Sequence, residues 1–331
     1  METKVAKNTS NCRLLYVNLL GNCAAIRSLL HQQILVGLSG IGITTGNLHD
    51  EFKLVPETIP MHRVSERNYV MYRSAIALRL SPHLPQSACD IANQLLASLP
   101  TVIHNSAQQK VLNFTVEVES SGWINFWLSD RALATWLQHL IHISPRRGLK
   151  EREPNNCHGE DIHRTPLQHL LHSQNDSHHY LFPIQYAHAR CCSLLRLAHQ
   201  YGVVQLTDAQ LKTANWQFVE PNPIPWLNDE QGVDTAEIPL RLVHPSERRL
   251  LAQLLEVQDE IATLDRLRAV KLASALSREF ESFYSSCRIW GEVKIQTPKL
   301  AQARLGLTAV TQQLLRSLLQ DQLGLAAPVE L

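Results

Sequence analysis

The sequence predicts a mainly α protein: a small α+β N-terminal domain over residues 1–143, a linker over 144–180, and an all-α helical bundle over 181–331. Three observations predict it. The period of the apolar residues changes from helical to alternating and back within the first 143 residues. A segment rich in His, Pro and charge follows, in which no long apolar face develops. After it come long amphipathic stretches separated by short breaks, the pattern of a helix bundle.

The first domain begins with an apolar stretch, Leu14–Leu20 and Ala24–Leu30, which reads as one helix over about 14–35. Asn18, Asn22 and Arg27 interrupt it, so it is too broken for a membrane span, and it lacks a signal-peptide cleavage pattern. Residues 37–66 read as loops with short extended pieces such as Phe52–Val55. Helical periodicity resumes over Tyr69–Leu80, and Ser87–Leu99 forms a second helix with Ile91, Leu95, Leu96 and Leu99 on one side. Phe114–Glu119 and Trp123–Leu128 alternate about a turn at Ser120–Gly122, a hairpin signal. Ser129 or Asp130 caps the next helix, which carries Leu133, Trp136, Leu137 and Leu140. Trp123, Trp127 and Trp136 are expected to anchor the core of this domain.

In the second domain a helix covers Ile184–Tyr201 and stops at Gly202. A Pro-rich loop spans Pro221–Pro225, and Pro245 opens a helix with Leu250, Leu251, Leu254 and Leu255 on its apolar face. Leu267–Trp290 and Gln296–Leu319 repeat the helical spacing. From 183 onward the chain reads as all-helical.

Length and composition set limits. With 331 residues, 44% hydrophobic and 18% charged, the chain can bury two ordinary cores. The formal net charge is +1, and residues 180–331 carry 15 basic and 16 acidic side chains, so no basic field covers the bundle. Seven scattered cysteines without a CxxC pair read as reduced thiols of a cytoplasmic protein. Cys191 and Cys192 read as a buried pair in a helix. Cys157, His158, His169 and His172 are the metal-ligand candidates of the linker, weighed against a solvated segment because their spacing is irregular. No Gly-rich phosphate loop occurs, and no cofactor is expected.

Four blocks of the second domain carry the specific signal: QYAHARCCSLLR (Gln185–Arg196), HPSERRLLAQLL (His244–Leu255), FESFYSSCRIW (Phe280–Trp290) and the run from Ala303 to Leu331. In order and spacing they resemble the anticodon-binding domain of arginyl-tRNA synthetases, known as the DALR domain. More weakly, YVMYRSAIALRL (Tyr69–Leu80) and SGWINFWL (Ser121–Leu128) resemble the N-terminal additional domain of the same enzymes. In that family a large catalytic domain with HIGH and KMSKS motifs lies between these regions. Here His158-Gly159 is not the first motif, and Lys271–Ser274 (KLAS) falls inside a bundle helix.

The resemblance therefore implies an anticodon-binding helical bundle and a partner tRNA, arginine tRNA in the first place, without the groups that activate an amino acid. The implied contact residues are Gln185, Tyr186, His188, Arg190, Tyr284 and Arg288. Leu331, where family members commonly end in methionine, is a further candidate. Tyr186, His188 and Arg190 have a plain alternative: they can equally bond neighbouring helices and hold the bundle. Two alternative functions stay open, a regulatory scaffold for a protein partner that has lost RNA, and an arginine–tRNA ligase or an accessory to one.

Overall fold

A computed structural model describes residues 12–19, 24–43, 54–65, 69–99, 111–143, 177–207, 216–229 and 238–331. The linker residues Cys157, His158, His169 and His172, and Phe52 and Lys53, lie outside the described residues. The chain divides into two compact units: Met1–His139 with Leu227–Leu240, and Leu140–Trp226 with Arg241–Leu331.

The first unit is built on a five-stranded antiparallel sheet in the order β1-β4-β5-β3-β2. The strands are β1 (Cys12–Asn18), β2 (Met61–Ser65), β3 (Val70–Ser74), β4 (Val111–Val118) and β5 (Ile124–Leu128). Among the described residues, four α-helices accompany them: α1 (Ile26–Gly40), α2 (Ile76–Leu80), α3 (Ala88–Ser98) and α4 (Asp130–His142). Successive residues of β4 alternate between half-buried and buried, so Leu112, Phe114, Val116 and Val118 all point to one face. The register aligns Leu15, Phe114, Leu128 and Val70 in one row, and Val116, Phe126 and Tyr72 in the next. This is the cross-strand packing that stabilises a sheet.

The β4–β5 turn needs Gly122. Its φ is +91°, and a Cβ there would stand 2.7 Å from that of Ala88. Ser87 caps α3 by accepting from the Asp90 N–H at 3.1 Å, and Ser129 caps α4 by accepting from the Ala132 N–H at 3.1 Å.

Two helical expectations are corrected in this unit. Residues 12–18 are a strand, and so are 70–74, with helix only over 26–40 and 76–80. LLYVN and VMYRS are short apolar runs whose periodicity fits either state. Pairing decides: Leu15 and Val17 face the core against β4 while Leu14 is half exposed. The tryptophan expectation holds only for Trp136, which is fully buried and donates Nε1–H to the Ala24 carbonyl at 2.8 Å. Trp123 and Trp127 are half-buried. Arg73 sits 4.6 Å above the Trp123 ring, and the edge of Tyr69 meets Trp127.

The second unit is a helical bundle. Its helices are α5 (Ser177–Gln200), α6 (Pro245–Glu260), α7 (Arg266–Ser286), the short α8 (Glu292–Gln296) and α9 (Pro298–Ser317), which runs into a π-helical turn at Leu318–Gln322. A two-stranded antiparallel ribbon, β6 (Gln205–Leu206) with β7 (Phe218–Glu220), follows α5, so the all-helical expectation is corrected there. Gly202 after α5 has φ +66°, and its N–H returns to the His199 carbonyl at 3.0 Å. The core comes from α5 (Ile184, Cys191, Leu195), α6 (Leu250, Leu254), α7 (Leu276, Phe280, Phe283) and α9 (Leu305, Leu307, Val310, Leu315), all fully buried.

Candidate nucleic-acid interface

The helix α5 is longer than the expected Ile184–Tyr201, reaching back to Ser177 through Pro183. It presents two polar stripes. Gln185, His188, Cys192 and Arg196 follow one another at spacings of three and four, and so lie on one face. Phe182, Tyr186 and Arg190 lie on the adjacent face.

The first stripe holds the C-terminal tail. The chain turns at Gly324 (φ +65°), and residues 326–330 come back along α5. Gln185 donates to the Ala326 carbonyl at 3.0 Å, His188 Nδ1 lies 2.8 Å from the Pro328 carbonyl, and Arg196 donates to the Val329 carbonyl at 3.0 Å. Arg196 also pairs with Glu330 at 3.2 Å. His188 is buried, and its Nε2 lies 2.9 Å from the Gln312 amide nitrogen. The carbonyl can only accept and the amide nitrogen can only donate. The ring is therefore neutral with its proton on Nδ1. Burial pushes its pKa down to about 4; the Pro328 bond opposes this and the charge of Arg316 adds to it.

The second stripe is open. Phe182 and Tyr186 stack with ring centroids 6.1 Å apart and are 56% and 41% exposed, far more than core aromatics show. Arg190 places its guanidinium 4.7 Å above the ring of Tyr284 on α7 and donates to the Tyr284 hydroxyl at 2.6 Å. Tyr284 is 37% exposed and lies over Phe280. Exposed π faces with a guanidinium beside them are the groups that accept an unpaired base and its phosphate.

Arg288 lies beyond the end of α7, which the sequence expected to run to Trp290. The helix α7 ends at Ser286 and Cys287 is its C-cap, so Arg288 is not one helical turn beyond Tyr284. Its side chain is exposed, while its carbonyl accepts from Arg304. Arg304 in turn donates to Glu247 at 2.6 Å. The other oxygen of Glu247 accepts the His244 N–H at 2.8 Å, and His244 Nδ1 accepts the Ser246 N–H at 3.2 Å, a reciprocal cap on α6. The Cys287 thiol lies 3.3 Å from the same nitrogen. Three of the four sequence blocks thus meet in one polar node that fixes the bundle. Leu331 is 65% exposed and lies just beyond the tail residues tied to Arg196.

Structure separates the expected site residues into two groups. Gln185 and His188 bond the tail, whereas Tyr186, Arg190 and Tyr284 form the open face. Phe182, Gln312 and the tail carbonyls were not anticipated. Phe182 sits four residues before Tyr186, a helical spacing that becomes a signal only once α5 is known to begin before it. Among the described residues, no group of three His, Cys, Asp or Glu side chains could hold a metal ion. No helix of the described residues is long and apolar enough to cross a membrane.

Residues 224–331 match the family model of the DALR anticodon binding domain. The DALR match takes in Tyr284, Arg288, Leu331 and the Glu247–Arg304 node, and begins after Gln185, Tyr186, His188 and Arg190. The chain is also similar to arginine–tRNA ligases. It is 34% identical to that of Synechococcus sp. (strain JA-3-3Ab) over 149 residues, 44% of this chain and 21% of the ligase. To that of Heliobacterium modesticaldum it is 30% identical over 162 residues, 48% of this chain and 24% of the ligase. The ligase of Gloeobacter violaceus is 33% identical over 144 residues, 42% of this chain and 20% of the ligase. The chain thus spans less than a quarter of the length of these relatives. No solved structure matches it.

Proposed function

We propose that this protein binds tRNA without activating an amino acid, and that the second unit takes unpaired bases of an anticodon stem-loop on the face formed by Phe182, Tyr186, Arg190 and Tyr284. The observation that carries this reading is the Arg190–Tyr284 pair beside the Phe182–Tyr186 stack. Three aromatic rings, 37–56% exposed, stand with a half-buried cation in a bundle whose DALR match names anticodon binding. An aromatic ring stacks on any base, and the neighbouring guanidinium neutralises phosphate. Arginine tRNA is the first tRNA to test, because the curated relatives are arginine–tRNA ligases.

The noncatalytic part rests on the sequence between the two resembling regions. Residues 144–180 hold neither of the ATP-binding motifs of the synthetases and no Gly-rich loop. Fluorescence anisotropy with arginine tRNA and an unrelated tRNA tests binding, and pyrophosphate exchange with arginine and ATP tests catalysis. Salt-sensitive tRNA binding and no exchange above background are expected. Absence of tRNA binding at low micromolar protein would overturn the reading. Such a result would favour a scaffold for a protein partner, which the balanced charge of residues 180–331 also suits.

A further inference from the structure

Beyond the face just described, the same helix carries a second aromatic–cation group three turns away. Tyr201 follows the last residue of α5, and its N–H still bonds the Leu197 carbonyl at 3.0 Å, so its place continues the helix. Eleven residues separate it from Arg190. At 100° per residue the two lie within about 20° of each other around the axis, and roughly 17 Å apart along it. Phe182, Tyr186, Arg190, Ser193, Leu197 and Tyr201 therefore make one stripe. Its middle is low, because Ser193 is small and exposed.

The far end of this stripe repeats the chemistry of the near end. Tyr201 is 63% exposed. Its ring centroid lies 5.9 Å from that of Trp290, and the Lys294 ammonium stands 4.8 Å from the ring. Both partners come from the stretch that begins at Tyr284, the partner of Arg190. One helix and one chain segment thus meet twice, each time as an aromatic ring beside a cation. The next residue, Gly202, opens a cleft of about 360 Å³ that is also lined by Gln205, Glu220, Asn222 and Gln302. Carboxylate and amide groups of this kind accept and donate to the edge of a base.

We propose that Tyr201, Trp290 and Lys294 form a second station for a base of the same single-stranded RNA, so that the strand runs along α5 from Tyr186 to Tyr201. This rests on the reading of the second unit as an RNA binder. Arg190 and Lys294 supply the positive charge at the two ends of the track, while Glu281 and Glu292 lie exposed on the same chain segment. The electrostatic share is accordingly small. Two phosphates neutralised on a single strand give a log–log salt slope of about −1.4.

Anisotropy with single-stranded RNAs of about four and about ten nucleotides separates the outcomes, since a stacking platform adds roughly 5- to 150-fold in affinity per base. The parent protein gains affinity with the longer strand. Tyr201→Ala, at an exposed position, abolishes that gain, and Lys294→Gln reduces it. Tyr284→Ala weakens both strands. A Tyr201→Ala protein that keeps the full gain, while Tyr284→Ala still weakens binding, overturns the second station and leaves the first intact. A parent protein that binds neither strand overturns both.

Discussion

His188 donates its Nδ1 proton to the carbonyl of Pro328 at 2.8 Å, a bond that ties the middle of α5 to the last residues of the chain. A protonated ring would keep this bond and lose the other, because Gln312 uses Nε2 as an acceptor only while the ring is neutral. An expected anticodon contact is thereby spent inside the bundle.

Acid should destabilise this site, by charging a buried ring and removing the acceptor that Gln312 uses. The His188 pKa falls from 6.5 to about 4 on folding, so between these values the unfolded chain takes up a proton that the folded chain refuses. The stability from this site is complete above pH 6.5 and is lost as pH falls towards 4. The difference corresponds to at most about 3 kcal/mol. Urea unfolding at pH 4.5 and 7 measures it. His188→Gln should be less stable than the parent at pH 7 and should lose less than the parent on acidification. A variant with the same pH dependence as the parent would count against the assignment.

Breaking the Glu247–Arg304 pair should be costly. Both side chains are almost completely buried, and removing one partner leaves an uncompensated charge, typically about 3–5 kcal/mol. Glu247→Ala also removes the acceptor for the His244 N–H. Arg304→Ala likewise removes the donor to the Arg288 carbonyl, so the two variants should destabilise to a similar extent. The double variant should cost less than the sum of the two, which a denaturation cycle reads directly.

Filling the space beside Gly306 should also destabilise. A Cβ there would lie 2.5 Å from Trp226 and 2.8 Å from Ile224, and the tryptophan ring is buried with little room to move. Gly306→Ala is expected to cost about 1–3 kcal/mol, the usual range for overpacking, despite the better helix propensity of alanine. Thermal unfolding of the variant measures it.

The open face should behave in the opposite way. Arg190→Ala and Tyr284→Phe should leave unfolding within about 1 kcal/mol of the parent, since both groups lie at the surface. Tyr284→Ala should weaken RNA binding by roughly 5- to 150-fold, and Tyr284→Phe should not, because stacking needs the ring and not the hydroxyl. Anisotropy with the arginine tRNA anticodon stem-loop tests both.

Thiol chemistry offers a check on the bundle core. Burial raises the Cys191 pKa and pushes that of Cys192 up to about 12, so neither forms thiolate near neutral pH. Among the described cysteines, a thiol reagent should modify the exposed Cys12 first and reach Cys191 and Cys192 only on unfolding. Mass spectrometry after short labelling reads the order.

The strand–turn–strand at 111–128 and the amphipathic helices of the second unit were legible because each repeats one period long enough to exclude the other. Gly122 and Pro245 marked their boundaries for local reasons, a positive φ and a missing N–H. The runs at 12–18 and 70–74 were not legible as strands. Over five to seven apolar residues the two periods coincide, and only the partner strand selects one. Within QYAHARCCSLLR the sequence by itself determined that polar tips crowd a helix, and that four such blocks stand in a known order. Which tip faces solvent was decided by tertiary structure alone. The tail returns along α5 and covers Gln185, His188 and Arg196, since their donors satisfy its carbonyls. Tyr186 and Arg190, rotated out of its path, are left uncovered by it.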